Sequence, residues 1–283
     1  MQITSEEITV ISRLIDDLCG IVLDETKAYL IENRLSTVAA EAGCETFTEL
    51  YYKARYAKDK GLQNNIINAI TTNETLFFRD SSPFEVLKHK VIPDLIDQKA
   101  STSFPKRIRI WSAACSTRQE PYSIAITLHE MLPDIMDWDI QILATDISDS
   151  AIKQASRGTY ATHEIHRGMK IEMLNKYFTQ TDDQWKVKDE LRALIAFKNR
   201  NLLDMFTDLR PFDIILCRNV AIYFKPDARK DLFQRLAEKL TPTGYLFAGS
   251  TESLKDVGSQ FVPQYHCRSC FYQPNHSLPV TSA

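Results

Sequence analysis

Residues 107–147 read RIRIWSAACSTRQEPYSIAITLHEMLPDIMDWDIQILATDI, and this stretch decides the fold. An apolar run at Ile108, Ile110 and Trp111 enters a turn of small residues, a helical segment follows, and a second apolar run ends at Asp146. That order predicts a strand, a helix and a second strand. A connection of this length joins parallel strands by a right-handed crossover, so the turn and the end of the second strand meet at the same edge of the sheet. Ligands of open α/β sheets bind at that edge.

Asp146 closes the second predicted strand, where an acidic side chain can accept hydrogen bonds from both hydroxyls of a ribose. We therefore predict that Asp146 binds the ribose of a nucleoside ligand. The alternative is a surface aspartate that caps a helix before Ser148 and Asp149. Position alone leaves both interpretations open.

The turn after the first strand, residues 112–118, reads SAACSTR and contains no glycine. Dinucleotide sites normally use a glycine-rich turn, because glycine lets the backbone approach a pyrophosphate at a helix N-terminus. We therefore expect a nucleoside ligand without phosphates.

Five blocks of sequence follow one another along the chain: TTNETLFFRD at 71–80, WSAACSTRQEPYS at 111–123, ATDI at 144–147, NLL at 201–203 and CRNVAIYF at 217–224. In this order, and over nearly the full length of the chain, they resemble the chemotaxis receptor methyltransferase (CheR) family. The resemblance implies S-adenosylmethionine as methyl donor, S-adenosylhomocysteine as product and no metal. It also implies that the acceptor is a glutamate side chain on the cytoplasmic helices of a chemoreceptor.

The fold class that we predict is α/β, with a Rossmann-like methyltransferase sheet, a small N-terminal all-helical domain and an inserted small β subdomain. Residues 1–75 contain helical periodicity and no strand pattern. We predict that residues 76–283 form the S-adenosylmethionine-binding domain that the resemblance implies, with the β subdomain at about residues 160–196. Further predictions concern a helix from about Glu25 to Ala42 with Leu30, Leu35, Val38 and Ala42 on one side, a helix over 226–240, and an antiparallel edge strand within 262–272.

The resemblance assigns roles to individual residues. In the family, the Asn of the first block, the Thr two residues after it and the Arg touch the cofactor, which implies the same for Asn73, Thr75 and Arg79. Glu120 suits a helix start, yet its carboxylate can also contact a cationic donor, and the family's matching glutamate does so. The other predicted cofactor-binding residues are Ala113, Asp146, Asn201, Leu202, Arg218 and Asn219, with Asn201 and Leu202 beside the adenine.

The second block departs from the family at two positions. Arg118 and Gln119 replace the glycine and the first glutamate of the family's TGEEPY pattern. Arg118 adds a positive charge beside a site for a sulfonium. We expect either an Arg118 side chain turned to solvent or weaker donor binding.

Methylating a glutamate needs no general base, because a carboxylate with a pKa near ~4.3 is already ionised at neutral pH. The enzyme has to align the reacting atoms and exclude water, which is positioning rather than proton transfer. Arg79 and Tyr223 are the predicted catalytic residues that orient the acceptor carboxylate. A packed aromatic at a strand end is the alternative for Tyr223.

Composition limits the protein class. A chain of 283 residues that is 44% hydrophobic can bury a full core. We expect a cytoplasmic protein without membrane insertion, because no signal peptide and no long apolar segment is present. The net charge of -3 argues against nucleic-acid binding. Cys267 and Cys270 form an isolated CxxC, which we interpret as structural thiols rather than a zinc site.

Three functions compete at this point. The first is a receptor glutamate methyltransferase, the second is a donor-binding regulatory or scaffold protein without catalysis, and the third is a methyltransferase with an unrelated small acceptor. Some family members bind a receptor C-terminal pentapeptide through a glycine-containing loop of the β subdomain. The matching residues 178–186 contain no glycine, so we predict direct contact with the methylation helices and no pentapeptide tether.

Overall fold

The computed structural model describes residues 1–56, 58, 60–100, 106–117, 119–132 and 134–275. The chain begins with helix α1 (Ser5–Cys19), whose start is fixed by Thr4. The Thr4 hydroxyl accepts the Glu7 backbone N–H, and the Glu7 carboxylate accepts the Thr4 backbone N–H, which is the capping box that the sequence predicts. Gly20 ends the helix with a φ of 76°, a left-handed conformation that glycine adopts without steric penalty.

Three more helices complete the N-terminal domain: α2 (Ala28–Glu41), α3 (Phe47–Arg55) and α4 (Gly61–Ile70). The prediction for the second helix was wrong at its start, because a separate 3₁₀ turn occupies Glu25–Lys27. The buried residues of α2 are Ile31, Leu35, Val38 and Ala39, and the partly buried Leu30 and Ala42 pack against the same core. Leu30 also lines the cleft described below.

A seven-stranded sheet forms the larger domain, in the order β6-β2-β1-β7-β8-β10-β9. Its five neighbouring strands from β6 to β8 are parallel, and β10 and β9 add an antiparallel edge. The parallel strands therefore end at one common edge. The strand bounds are β1 (Arg107–Ala113), β2 (Asp139–Asp146), β6 (Ile195–Asn199), β7 (Phe212–Cys217), β8 (Leu240–Phe247), β9 (Phe261–His266) and β10 (Ser269–Pro274).

Helices cover both faces of this sheet. One face packs against α5 (Ser82–Val86), a π-helical turn (Leu87–Val91), α6 (Ile92–Ala100) and α7 (Gln119–Met131). The other face packs against α12 (Pro226–Ala237), while α8 (Asp149–Arg157) follows β2. Alternate residues of each strand enter the two cores: Ile214 and Leu216 enter one, and Ile215 and Cys217 enter the other. Leu240, predicted as helical, begins β8.

A second, three-stranded antiparallel sheet lies between β2 and β6 in sequence. It consists of β3 (Thr159–Ala161), β4 (Phe178–Thr181) and β5 (Gln184–Val187), in the order β3-β5-β4. Three short helices accompany it: α9 (Thr162–His166), α10 (Ile171–Tyr177) and α11 (Asp189–Arg192). Its apolar residues join the core of the main domain through Phe77, whose ring centroid lies 4.9 Å from that of Tyr160 and 5.6 Å from that of Phe178.

The C-terminal part of the described chain is a hairpin of β9 and β10, where the sequence predicted one edge strand. Cys267 and Arg268 form the turn, and both have positive φ angles. Among the described residues, no group of three or more His, Cys, Asp or Glu side chains is arranged to hold a metal ion. Within the same residues, no helix combines the length and the apolar character that a membrane span requires.

Candidate functional site

A cleft lies where β1, β2 and β7 end, on the side that the parallel topology predicts for a ligand. Its empty volume is about 1250 Å³ when the part open to solvent is included. Segments from both domains line it. Predicted site residues in its wall are Asn73, Thr75, Arg79, Glu120, Asp146, Asn201, Leu202, Arg218, Asn219 and Tyr223.

Ala113 is the one predicted cofactor-binding residue that does not line the cleft. It is the last residue of β1 and is buried in the core. Ala114, Cys115 and Ser116 form the wall instead. Ala114 and Ser116 have φ angles of 57° and 52°, so this turn adopts left-handed conformations without glycine.

Asp146 is 7% exposed, and each of its oxygens accepts one backbone hydrogen bond. Ser116 N lies 2.8 Å from Oδ2, and Ser148 N lies 2.9 Å from Oδ1. The N-cap of α8 is Ser148, not Asp146. Burial raises the pKa of Asp146, and the backbone hydrogen bonds oppose that rise. A carboxylate oxygen can accept two hydrogen bonds, so each oxygen keeps capacity for a ribose hydroxyl.

Arg218 is buried and connects three segments around the cleft. Its Nη1 lies 2.8 Å from Glu120 Oε2, and its Nη2 lies 2.8 Å from the Arg79 carbonyl oxygen and 3.0 Å from Asp80 Oδ2. Glu120 also accepts a hydrogen bond from the Ser112 hydroxyl at 2.7 Å. Most of the Arg218 side chain therefore serves to position the ends of β7 and α7 and the segment around residue 79.

The segment over residues 73–80 crosses the cleft and is fixed at several points. The Asn73 carbonyl accepts the Ser116 hydroxyl at 2.9 Å, and Arg79 Nη1 donates to the Glu74 carbonyl at 2.9 Å. Phe77 is fully buried, as predicted, whereas Phe78 is only partly buried. This anchoring leaves the side chains of Asn73, Thr75 and Arg79 at the cleft wall.

Asn201 has a structural partner in each domain. Its Nδ2 donates to the Leu18 carbonyl at 2.8 Å, and its Oδ1 accepts the Leu203 N–H at 3.0 Å. The Asn201 amide therefore connects the helical domain to the cleft wall. Leu202, which is 5% exposed, contributes an apolar surface beside it.

The helical domain supplies a wall that the sequence did not predict. Ile21, Val22 and Leu23 line the cleft, and Val22 N donates to the Tyr223 carbonyl at 2.9 Å. Cys19 joins them, and burial raises the pKa of its thiol to about 11, so it is neutral at physiological pH. The signal was available as an apolar run that follows the Gly20 helix end. These three consecutive apolar residues do not fit the spacing of apolar residues on one face of a helix.

Tyr223 lies in the 3₁₀ turn Ala221–Tyr223 and is half-buried at the cleft wall. It is not at a strand end, because residues 218–222 separate it from β7. Of the two family departures, Arg118 lies outside the described residues. Gln119 is buried at the first position of α7, where it accepts the Thr117 hydroxyl at 3.1 Å, and it does not line the cleft.

The residues of the cleft fit S-adenosylmethionine. The carboxylate of Asp146 has acceptor capacity for ribose hydroxyls, and Leu202 offers an apolar surface for a base. Basic side chains in the same wall, Arg34 and Arg79 among them, match the carboxylate of an amino-acid chain. The donor needs each of these three properties in one site.

Comparison with known proteins identifies the family. Residues 6–71 match the family model "CheR methyltransferase, all-alpha domain", and residues 73–267 match "CheR methyltransferase, SAM binding domain". The chain is 39% identical to the chemotaxis protein methyltransferase Cher2 of Pseudomonas putida over 251 residues, which are 87% of this chain and 90% of the relative. It is 37% identical to the chemotaxis protein methyltransferase of Vibrio parahaemolyticus over 263 residues, 92% of this chain and 93% of the relative.

These matches confirm the predicted family, the α/β methyltransferase fold class and S-adenosylmethionine as the cofactor. They do not favour the alternative of a regulatory protein without catalysis, because the relatives are named as methyltransferases. The chain belongs to the CheR methyltransferase family.

Proposed function

We propose that this protein transfers a methyl group from S-adenosylmethionine to glutamate side chains of chemoreceptor cytoplasmic helices, giving methyl esters and S-adenosylhomocysteine. The names of its relatives support a role in chemotaxis, since each is a chemotaxis protein methyltransferase. We propose that this activity takes place in the cytoplasm, where the proposed acceptor helices lie.

The charge of the cleft is the observation that carries the proposal. Its described wall contains five basic residues and three acidic ones. Arg200 is paired with Asp208, and Arg218 is paired with Glu120 and Asp80, whereas Lys27, Arg34 and Arg79 form no ion pair with the described residues. These three cations can hold two carboxylates, one on the donor and one on the acceptor. The basic residues are Lys27, Arg34, Arg79, Arg200 and Arg218, and the acidic ones are Glu74, Glu120 and Asp146.

Residues of this chain would bind and orient rather than exchange protons. When bound, S-adenosylmethionine supplies a methyl group on a sulfonium, which a carboxylate oxygen takes as the carbon–sulfur bond breaks. Arg79 would hold the acceptor carboxylate by charge-assisted hydrogen bonds, and the Tyr223 hydroxyl would donate a second bond. The apolar wall at residues 21–23 would exclude water from this reaction.

The donor would lie along the ends of the parallel strands. Asp146 would accept the ribose hydroxyls, Leu202 would contact the adenine, and Asn73 and Thr75 would contact the remaining polar groups. In this proposal Arg218 and Asn201 also position the wall through their side chains, and Asn219 does so through its backbone N–H, while all three residues line the cleft beside the donor. Glu120 combines both roles, since it accepts from the protein and lines the cleft.

We further propose that residues 1–75 and the rim of the cleft contact the receptor helices directly, and that the subdomain at about residues 160–196 binds no receptor pentapeptide. The connection between β4 and β5 supports this view. It is a two-residue turn, Asp182-Asp183, and Asp182 has a φ of 51°. Such a turn has little freedom to open beside an incoming strand, and its two carboxylates would repel an acidic peptide.

Transfer of radiolabelled methyl groups tests the acceptor. Purified protein, labelled S-adenosylmethionine and a receptor cytoplasmic domain are expected to give protein-bound label that alkali releases as methanol. A receptor domain with its methylation-site glutamates changed to alanine is the matched control. Label that resists alkali, or label that persists in the control, would contradict glutamate ester formation.

Titration of the full chain with a receptor C-terminal pentapeptide tests the recruitment mode. We expect no saturable heat in calorimetry up to about millimolar peptide, the weak end of specific affinity. A scrambled pentapeptide is the control. Saturable micromolar binding that shifts the amide resonances of residues 160–196 would show that the tether exists.

A further inference from the structure

Glu252 lies just beyond β8 and is buried, with 7% of its surface exposed. Its Oε2 accepts two backbone hydrogen bonds, from Asn219 N at 2.7 Å and from Gly249 N at 2.6 Å. One carboxylate therefore connects the segment after β7 with the segment after β8. Neither the sequence patterns nor the family resemblance pointed to this residue.

The two amides that Glu252 holds belong to an unusual piece of backbone. Asn219 has a φ of 56°, in the left-handed region, which reverses the chain direction after Arg218. A Cβ atom placed on Gly249 would lie 2.6 Å from Glu252 Oε2 and 2.9 Å from Asn219 N. Gly249 is thus required for the close approach of the three groups.

This backbone leads directly into the cleft wall. Asn219 and Val220 line the cleft, and the 3₁₀ turn that follows carries Tyr223. Arg218, on the other side of Asn219, holds Glu120 and the segment at residue 79. A change at Asn219 would therefore move the groups of the cleft wall that precede and follow it in the chain.

Among the described residues, no other hydrogen-bond partner of the Glu252 side chain explains its burial. Its Oε1 is buried and accepts no hydrogen bond from the described residues. A buried carboxylate in this state is unfavourable unless the bonds at its other oxygen compensate. Here those bonds go to two amides that a loop without Glu252 would leave unsatisfied.

We propose that Glu252 is a positioning residue for methyl transfer. It fixes the left-handed backbone of Asn219 and thereby sets the place of Tyr223 relative to the bound donor. Glu252 does not line the cleft itself, so it acts through these residues and touches no reacting atom.

Three variants of the full chain test the proposal. Glu252→Ala removes the acceptor of both amides, and Glu252→Gln keeps a carbonyl oxygen that can accept them. Asp213→Ala is the control, because Asp213 is also buried and also accepts a backbone N–H, from Arg109 at 2.8 Å, but lies near the opposite end of β7. This variant also removes an ion pair with Lys99, so its loss of stability is not expected to be smaller than that of Glu252→Ala. Each variant is assayed below its thermal unfolding transition for kcat, for acceptor KM and for donor affinity.

We expect Glu252→Ala to lower kcat about tenfold or more relative to Asp213→Ala, with acceptor KM changed by less than about threefold. Glu252→Gln is expected to keep kcat within about threefold of the wild type. The ¹⁵N-resolved amide resonances of Asn219 and Gly249 should move in Glu252→Ala and remain closer to the wild type in Glu252→Gln.

Equal kcat values in Glu252→Ala and Asp213→Ala would overturn the proposal. So would a glutamine variant that unfolds at the wild-type temperature and has lost tenfold in kcat, because an acceptor oxygen would then not be enough. The kcat comparison rests on the proposed function. If that function is wrong, the wild-type protein will transfer no methyl group to the receptor domain. The amide resonances need no acceptor and separate the two failures.

Discussion

Arg218 Nη1 lies 2.8 Å from Glu120 Oε2, and both side chains are largely buried beside the cleft, with 2% and 12% of their surfaces exposed. The pair joins the end of β7 to the first turn of α7, two segments that are 98 residues apart in sequence. Since the same guanidinium also bonds Asp80 and the Arg79 carbonyl, loss of Arg218 would release several parts of the site at once.

Arg218→Ala is therefore expected to destabilise the fold by about 3–5 kcal/mol, because it leaves the Glu120 carboxylate buried and uncompensated. Chemical denaturation measures this change. Arg55→Ala serves as control, since its ion pair with Asp17 is as short, at 2.7 Å, but about half exposed. The control should change stability by about 0–1 kcal/mol. Similar losses in both variants would show that burial of the Arg218 pair does not matter.

Asp146→Ala is expected to abolish measurable donor binding in calorimetry, since it removes the ribose acceptor. It also leaves the Ser116 and Ser148 amides without their carboxylate, so we expect a loss of stability of about 1–3 kcal/mol while the protein still folds. Donor or S-adenosylhomocysteine binding as tight as in the wild type would refute the ribose assignment.

Donor affinity should also depend on the pH of the solution through Asp146. Burial raises its pKa above the ordinary value of 3.8. Protonated Asp146 therefore stabilises the folded state at pH values below the pKa that Asp146 has in the unfolded chain. This stabilisation is lost as the pH rises through the higher pKa of Asp146 in the folded state. Ribose binding needs the ionised form, so affinity should fall on acidification before an exposed aspartate would titrate. Asp146→Asn should lack this step, and an unchanged pH profile in that variant would exclude Asp146 as its origin.

Arg79→Ala and Tyr223→Phe are expected to lower turnover more than donor affinity, because orientation of the acceptor is what each side chain contributes. We expect losses of about tenfold or more in single-turnover rates, and Arg79→Ala should also lower the affinity for the donor. Tyr265→Phe is a control on β9, where Tyr265 is 73% exposed and far in sequence from the cleft segments. Wild-type single-turnover rates in both test variants would end this assignment.

Asn201→Ala tests the attachment of the helical domain. Without the bond from Nδ2 to the Leu18 carbonyl, the wall at residues 21–23 should be held less tightly, and donor affinity should fall about fivefold, as expected for about 1 kcal/mol. Gln63→Ala removes a similar bond, to the Ala54 carbonyl, inside the helical domain. Calorimetry should show no weaker donor binding in that control. Wild-type donor affinity in Asn201→Ala would show that other contacts hold the wall at residues 21–23.

Much of the fold follows from local pattern. Ile108, Ile110 and Trp111 form β1 because their run of apolar residues suits a strand buried on both faces, and the α7 and β2 segments are equally regular. Parallel topology then brings the turn after β1 and Asp146 to one edge without further information. The resemblance of the sequence blocks to the family identified the methyl donor. Most of the residues that line the cleft lie within those blocks.

Which hydrogen bonds hold the cleft wall together was decided by the tertiary structure. Arg218 and Asn201 line the cleft, and their side chains also bond to Glu120 and to the Leu18 carbonyl, at sequence separations of 98 and 183 residues. Hydrophobic periodicity and capping are local signals, whereas the choice of a hydrogen-bond partner depends on distances that only the packed chain sets. For the same reason the apolar run at Ile21, Val22 and Leu23 did not show by itself that it lines the cleft, and the sequence did not indicate the two amides that Glu252 holds.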